Sequence, residues 1–415
     1  MVDGTPKKIV GMNPRQFFYQ RIAQTSPEPM LGNPLQIERA KGSLMWDESG
    51  KEYLDFISGI AVSSVGHCHP EVVSAIKEQA DRHLHLMVYG EFVQIPQNRY
   101  AEEIFRKLPA ELNQIFYTTG GSEAVEIAIK AARKFTGRKK IVSFRNSYHG
   151  STLGALSLSS LEHHLNAFAP HVPGIIRLQY NNRIELEHLN DEIACVVLEP
   201  IQAESGINIP DKEYLKEIRN ACNQNGILLV FDEIQTAFGR TGKMFGFEHF
   251  GVTPDMICLA KGMGGGVPVG ACIARSEILR TLSDNPILGH MNTFGGNALA
   301  CAAALATLKV IEKEKLLDRS LEIQKIVGQY FFENFRESPL KWRILGAFGA
   351  LEFENEEQAF TVCRNCLKNG LITDWFLYNP RALRLAPPLN IEFELLHKGL
   401  NILVENSLKV IKKGL

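Results

Sequence analysis

Between residues 114 and 274, short apolar runs alternate with amphipathic stretches, and this alternation restricts the fold more than any other feature of the chain. The runs 114–118, 140–144, 175–178, 193–198, 227–231, 256–259 and 271–274 are brief and rich in Ile, Val, Leu and Phe. Such runs read as strands buried on both faces. Stretches 97–107, 123–135 and 211–223 carry apolar residues at helical spacing instead. Strand and helix in alternation lead to a mainly parallel sheet covered by helices on both sides. Ligands of such sheets sit beyond the carboxyl ends of the strands, so the residues that follow each run are where chemistry is expected.

Two of these ends carry charge. Asp232 follows Leu228-Leu229-Val230-Phe231, and Lys261 follows Met256-Ile257-Cys258-Leu259-Ala260 and precedes Gly262-Met263-Gly264-Gly265-Gly266. A carboxylate and an amine at the ends of core strands are costly to bury without partners. One partner satisfies both. An imine between Lys261 and pyridoxal phosphate, with Asp232 on the pyridinium nitrogen, gives each group a task. A core Asp near a strand end also suits an Asx-turn or a helix cap, so the pair says more than either residue alone.

The other ends are less specific. Thr119-Gly120-Gly121-Ser122 closes one run and opens a helical stretch. Free backbone amides at a helix start suit a phosphate, but the same residues make a plain Gly turn with Ser122 as the cap. Tyr148-His149-Gly150 follows the run 140–144. Tyr148 suits stacking on a planar ring or ordinary packing. His149 suits a base or a structural histidine. Glu199 and Glu204, in Glu199-Pro200-Ile201-Gln202-Ala203-Glu204, follow the run 193–198; a solvated loop is the plainer reading of that segment.

The rest of the chain sets the frame. Residues 1–35 read as a proline-bearing arm with a short helix over 14–23, and residues 36–56 as short strands turned at Gly42 and Gly50. A helix begins at Pro70 with Val72, Val73, Ile76 and Ala80 on its apolar face. After about residue 300 the pattern becomes α+β. Helices are expected over 298–314, onward to 336, over 356–368 and over 392–412, with strands near 342–353 and 384. The domain reading is an N-terminal segment (1–65) that joins a small C-terminal domain (299–415), with a large domain (66–298) between. The formal net charge of −1 gives no electrostatic reason to expect nucleic acid or an anionic membrane as partner. Eight cysteines are scattered, several in apolar runs, and Cys363-x-x-Cys366 lacks a second half-site, so no metal is expected. The first residues lack the apolar core of a signal peptide, and no run approaches the ~20 apolar residues of a membrane span, so a cytoplasmic protein is expected.

In order, Gly66-His67-Cys68-His69-Pro70, Gly121-Ser122-Glu123-Ala124, Tyr148-His149-Gly150, Glu199-Pro200-Ile201-Gln202, Asp232-Glu233-Ile234-Gln235-Thr236, Gly239-Arg240-Thr241-Gly242 and Lys261-Gly262 form a set. This set resembles the class III aminotransferases, pyridoxal-phosphate enzymes of fold type I that include ornithine, acetylornithine and 4-aminobutyrate aminotransferases. The resemblance covers nearly the whole chain. It implies a seven-stranded-type, mainly parallel sheet flanked by helices, with a smaller α+β domain. It implies Lys261 as imine former and proton carrier and Asp232 as pyridinium partner. Gly120, Gly121 and Ser122 would cradle the phosphate, Tyr148 and His149 would line the ring, and Gln235 would approach the phenolic oxygen. Thr293 would reach the phosphate from the other subunit of a homodimer with shared sites. Arg384 would grip a substrate carboxylate and Glu204 would pair with it when an ω-amine enters; Tyr89, Trp375 and Phe376 are candidate pocket walls. After the segment that matches Tyr148-His149-Gly150, many ornithine and acetylornithine enzymes carry Arg, where this chain has Ser151, so 2-oxoglutarate as acceptor would call for another cation, such as Arg145. The implied function is transfer of an amino group from an ω- or α-amino donor to a keto acid such as 2-oxoglutarate or pyruvate. Decarboxylation, an aminomutase step or epimerisation on the same scaffold are the alternatives within the fold. A non-catalytic nucleotide-binding α/β protein is the alternative outside it, although neither a Walker A nor a G-x-G-x-x-G turn is present.

Overall fold

The computed structural model describes residues 13–26 and 34–412, so much of the expected arm lies outside the described residues. Seven strands form the central sheet: β1 (Gln114–Thr118), β2 (Lys140–Phe144), β3 (Ile175–Leu178), β4 (Ile193–Leu198), β5 (Leu228–Asp232), β6 (Met256–Leu259) and β7 (Gly270–Ala274). Their order is β1-β7-β6-β5-β4-β2-β3. β7 runs antiparallel to both neighbours and every other pairing of two neighbours is parallel. All residues of β4, β5, β6 and β7 are buried, which is why these runs show no polar alternation. Two core clusters flank the sheet. One contains Ala124, Ile127, Ala128 and Ala131 of α1 (Gly121–Thr136) against Val197, Val230 and Cys258. The other packs Val196, Leu229 and Ile257 toward the helix Ala298–Lys313.

Most elements fall within a few residues of expectation, and the departures have local causes. Asp232 is the last residue of β5 itself, since its Cα pairs in register with Cys258. The N-terminal helix stops at Arg21 because Ile22 turns extended. The helical run after residue 298 breaks into Ala298–Lys313 and Leu316–Phe335, with Lys315 at φ 52° between them. In the helix Pro70–Ala80, Gln79 is buried and Ala80 exposed, the reverse of the hydropathy reading; the Gln79 amide donates to the His83 carbonyl at 3.0 Å. Helices Leu153–Ser157 and Glu162–Ala167 are too short to show a period and were not expected. Cys363 and Cys366 are both buried in the helix Glu356–Lys368, where the Cys363 thiol reaches the Thr373 carbonyl at 3.5 Å.

Two smaller sheets complete the structure. One joins Ile37–Lys41, Leu44–Asp47, Glu52–Asp55 and Leu371–Ile372, so chain segments more than 300 residues apart pair in one sheet. The other joins Lys341–Ile344, Gly349–Glu352, Asn379–Leu385 and Trp375–Phe376. Among the described residues, no helix is long and apolar enough to cross a membrane.

A single buried guanidinium ties these parts together. Arg240 donates from Nη1 to the carbonyls of Ala347 (2.9 Å) and Pro387 (2.6 Å), and from Nη2 to Ser64 Oγ (3.1 Å). Burial pushes its pKa down to about 9, the Asp55 charge opposing. Removing it strands two buried carbonyls and leaves a void. Arg240→Ala is expected to lower unfolding free energy by about 3 kcal/mol or more in urea titration.

Candidate active site

A cavity of about 330 Å³ opens at the carboxyl ends of the central strands. Its lining includes Thr119, Gly120, Gly121, Ser122, Tyr148, His149, Asp232, Gln235 and Lys261. Four sequence segments that are far apart in the chain therefore converge on one space, as the ends of adjacent strands do.

One end of the cavity is built for an anion. α1 begins with Gly120 as its cap, and no side chain satisfies its first amides. The reading of Ser122 as the cap gives way, because Ser122 lies inside the helix and its Oγ accepts from Ser151 N at 3.3 Å. Glu123 is turned back instead, accepting from Thr119 N (2.8 Å) and Thr119 Oγ1 (2.7 Å). The backbone is packed too closely for side chains here. A Cβ on Gly121 would lie 2.6 Å from Ile234 Cδ1, and one on Gly150, at φ 126°, would lie 2.1 Å from Ser122 Oγ. Free amides and a hydroxyl at the positive end of a 16-residue helix suit a phosphate.

The far wall is acidic. Asp232 Oδ2 meets His149 Nδ1 at 2.7 Å, and Asp232 Oδ1 accepts from Ile234 N at 3.1 Å. His149 is buried, and its Nε2 has no hydrogen-bond partner among the described residues. Burial works against a charged imidazole, but the bond to Asp232 and the charges of Asp232 and Glu199 raise the His149 pKa above its ordinary value. Glu199 accepts from Tyr148 N (3.1 Å) and Ala203 N (2.8 Å). Burial pushes its pKa up to about 8, so at neutral pH it carries a proton.

Lys261 stands between the two ends, at φ 44°, in the short turn Lys261–Gly264 that follows β6. It is partly exposed because it lines the cavity, and its amine makes no hydrogen bond or ion pair among the described residues. Burial pushes its pKa down to about 8; Glu204 opposes this shift and Arg384 adds to it. These residues fit pyridoxal phosphate: an uncommitted amine, an acid for a ring nitrogen, and a phosphate cradle closely packed at Gly121 and Gly150.

Arg384 and Glu204 form a buried bidentate pair, with Nη1–Oε1 and Nη2–Oε2 both at 3.0 Å. Burial alone would raise the Glu204 pKa, but Arg384 and Lys261 hold it at about 2. Gln235 bridges this pair to the cavity. Its Nε2 donates to Glu204 Oε1 at 2.8 Å and its Oε1 accepts from Arg384 Nη1 at 3.4 Å.

Other candidates lie elsewhere. Tyr89 and Thr293 bond to each other (2.8 Å) and do not line this cavity in their own chain. Tyr148 is in the lining, and its hydroxyl pairs with Ser151 Oγ at 3.1 Å. Arg145 is exposed and outside the lining. Phe376 lies under the Arg384 guanidinium at 4.7 Å, and Trp375 packs edge-on against Phe360. Glu199 was visible in sequence only as part of a loop, and Asp374, which pairs with Arg384 Nε at 3.1 Å, gave no signal at all.

Comparison with known proteins agrees with this geometry. A family model, Aminotransferase class-III, matches residues 26–406. Acetylornithine aminotransferase of Archaeoglobus fulgidus is 39% identical over 369 residues, which is 89% of this chain and 94% of that protein. Acetylornithine aminotransferase of Methanocaldococcus jannaschii is 38% identical over 383 residues, 90% and 93% of the two chains. Among solved structures, a transaminase from Virgibacillus superposes with a TM-score of 0.90 at 28% identity, covering 96% of this chain and 99% of its own. Ornithine aminotransferase of Toxoplasma gondii superposes at 0.88 with 30% identity, covering 95% and 94%. These likenesses set aside the reading as a non-catalytic nucleotide-binding protein.

An ordinary lysine is well under about 1% neutral at pH 8. With the Lys261 pKa near 8, the amine that attacks an aldehyde is abundant there. In apoenzyme mixed with pyridoxal phosphate, the rate of forming borohydride-fixable product is expected to rise with pH through about 8 and then level off. A rise that continues toward pH 10 would contradict the depressed amine.

Proposed function

The chain belongs to the class III aminotransferases, and on that premise we propose that it takes an amino group from an ω-amino donor of the ornithine or N-acetylornithine class and gives it to a keto acid. Transamination with pyridoxal phosphate is the activity of the family. The observation that carries the choice of donor is the closed Arg384–Glu204 pair. With the guanidinium neutralised, an amine end enters without meeting an exposed charge. With Glu204 displaced, the same guanidinium offers a fork to a carboxylate. The acetylornithine aminotransferases that the chain resembles at 37–43% identity support the same donor class.

The residues act as follows in this reading. The amides of Gly121 and Ser122 hold the phosphate, with Gly120 leaving room. Asp232, oriented by His149, keeps the ring nitrogen protonated, and Tyr148 covers the ring. Pyridoxal phosphate, when bound, supplies an aldehyde for attachment of amines and a ring that takes up electron density. Lys261 Nζ takes the proton from the substrate carbon that bears the amine, and its depressed pKa maintains a neutral fraction for that task. Gln235 ties the site of chemistry to Arg384 and Glu204.

Two copies are proposed to form the working unit. Exposed Leu86, Met87, Phe92, Ile287, Met291 and Phe294 belong to the segments 84–97 and 287–297, which also carry the Tyr89–Thr293 pair. So much apolar surface in adjoining segments suits an interface, and it would bring Thr293 and Tyr89 to the partner's cavity. The proposed domains are a large one, 66–298, and a small one of 299–415 with residues 1–65. Pairing of Leu371–Ile372 with Glu52–Asp55 supports that union. A cytoplasmic role in amino-acid metabolism accords with these substrates.

Donors added singly to the holoenzyme test the reading by loss of the absorbance of Lys261-bound cofactor. N-acetylornithine or ornithine is expected to react faster than 4-aminobutyrate or α-amino acids, and Lys261→Ala is expected to react with none. Reaction with α-amino acids alone would overturn the donor class.

The interface is tested separately. Met291→Glu is expected to convert a dimer to monomers in sedimentation and to weaken cofactor retention. An intact dimer with full cofactor would remove this surface from the interface.

A further inference from the structure

The Arg384 guanidinium is held on more edges than its pair with Glu204 occupies. Nε faces Asp374 Oδ1 at 3.1 Å. Nη2 donates to the Trp375 carbonyl at 3.2 Å as well as to Glu204, and the Phe376 ring lies under Cζ. Asp374, Trp375 and Phe376 are consecutive, and this segment is itself fixed to the strand that carries the arginine. Arg384 N donates to the Asp374 carbonyl at 2.8 Å, and Thr373 Oγ1 donates to the Arg384 carbonyl at 2.7 Å.

Two carboxylates on one guanidinium are one more than charge balance needs in a buried site. They are not equivalent. Glu204 occupies the Nη edge and has other donors to fall back on, Gln235 Nε2 at 2.8 Å and Leu377 N at 3.1 Å. Asp374 occupies the Nε side and, among the described residues, has no cationic partner but Arg384. Burial pushes the Asp374 pKa up to about 6, which leaves it ionised at neutral pH. One carboxylate is thus exchangeable and the other is fixed.

We propose that Asp374 is a positioning residue for the acceptor: it keeps Arg384 aimed and charge-balanced when Glu204 yields the Nη edge to the carboxylate of a keto acid. This rests on the reading of Arg384 as the carboxylate-binding group. While an ω-amine is bound Glu204 holds the Nη edge of the arginine in a bidentate pair, so the donor step depends little on Asp374. The acceptor step depends on it more, because with Glu204 displaced Asp374 is the one carboxylate among the described residues still paired with the guanidinium, beside the neutral Trp375 carbonyl, Gln235 Oε1 and the Phe376 ring.

The test uses holoenzyme with Asp374→Asn, measuring the two half-reactions separately. The donor half-reaction with N-acetylornithine is expected within about twofold of wild type, while the KM for pyruvate and for 2-oxoglutarate rises about tenfold or more with kcat little changed. Propionate, which carries a carboxylate and no keto group, is expected to lose affinity in parallel by calorimetry. An unchanged acceptor KM, or an equal loss in both half-reactions, overturns the proposal. If Asp374→Asn does not fold, Asp374→Glu keeps the charge and misplaces it. The acceptor KM is then expected to rise about threefold with the donor step intact, and no rise overturns the proposal. Arg384→Lys separates the two levels: if it leaves acceptor KM unchanged, the reading of Arg384 fails; if it raises KM while Asp374→Asn does not, only the role of Asp374 fails.

Discussion

A lysine amine held inside the cavity at the end of a strand, without a partner of its own among the described residues, is the constraint around which the rest of the site is arranged. Burial of Lys261 pushes its pKa down to about 8, and Glu204, Asp232 and Glu199 keep it from falling further. Arg384 works the other way. The amine is therefore held near the pH at which it both accepts and gives up a proton, which is what a proton carrier needs. Its positive φ and the Gly-rich residues after it belong to the same constraint, because a tight turn off β6 is what aims the side chain into the cavity.

The surroundings divide the charges into two sets that barely overlap. Asp232, His149 and Glu199 form one set at the ends of β2, β4 and β5. Glu204, Arg384 and Asp374 form the other. Within the first set burial pushes the Glu199 pKa up to about 8, so this carboxyl holds its proton more readily than an ordinary one. Within the second set Glu204 stays ionised far below neutral pH because the guanidinium is so close. Gln235, an uncharged amide, bonds to Glu204 and Arg384 of the second set and also lines the cavity.

The sheet and its ligand-binding edge were legible because fully buried strands write themselves as uninterrupted apolar runs. The ends of four of these runs carried residues that line the cavity: Thr119–Ser122, Tyr148, Asp232 and Lys261. Charged groups whose partners come from other sheets were not legible. Asp374 lies beside a two-residue strand, too short for any period, and its only claim to notice is a contact with a residue ten positions on. Of the two readings of the α1 start, the one with Ser122 as cap gives way, although Ser is the better cap by propensity. What decides is that Gly120 leaves the first amides free, and this is a property of the backbone path rather than of composition. Gln79 defeated the hydropathy pattern in the same way, since its amide is satisfied by a carbonyl beyond the helix end.

Arg384 does not come from the sheet that carries Lys261 and Asp232. It lies on Asn379–Leu385, paired in register with Ala350 in a separate antiparallel sheet. It reaches the cavity only through Glu204 and Gln235, which stand on loops after β4 and β5. The groups proposed for the chemistry are thus fixed by one sheet and the group proposed for the carboxylate by another. On the Arg384 side, Leu377 N and Tyr378 N hold Glu204 by its carboxylate and its carbonyl. Ser151, where many relatives carry arginine, bonds to Tyr148 and to Ser122 at the edge of the same cavity.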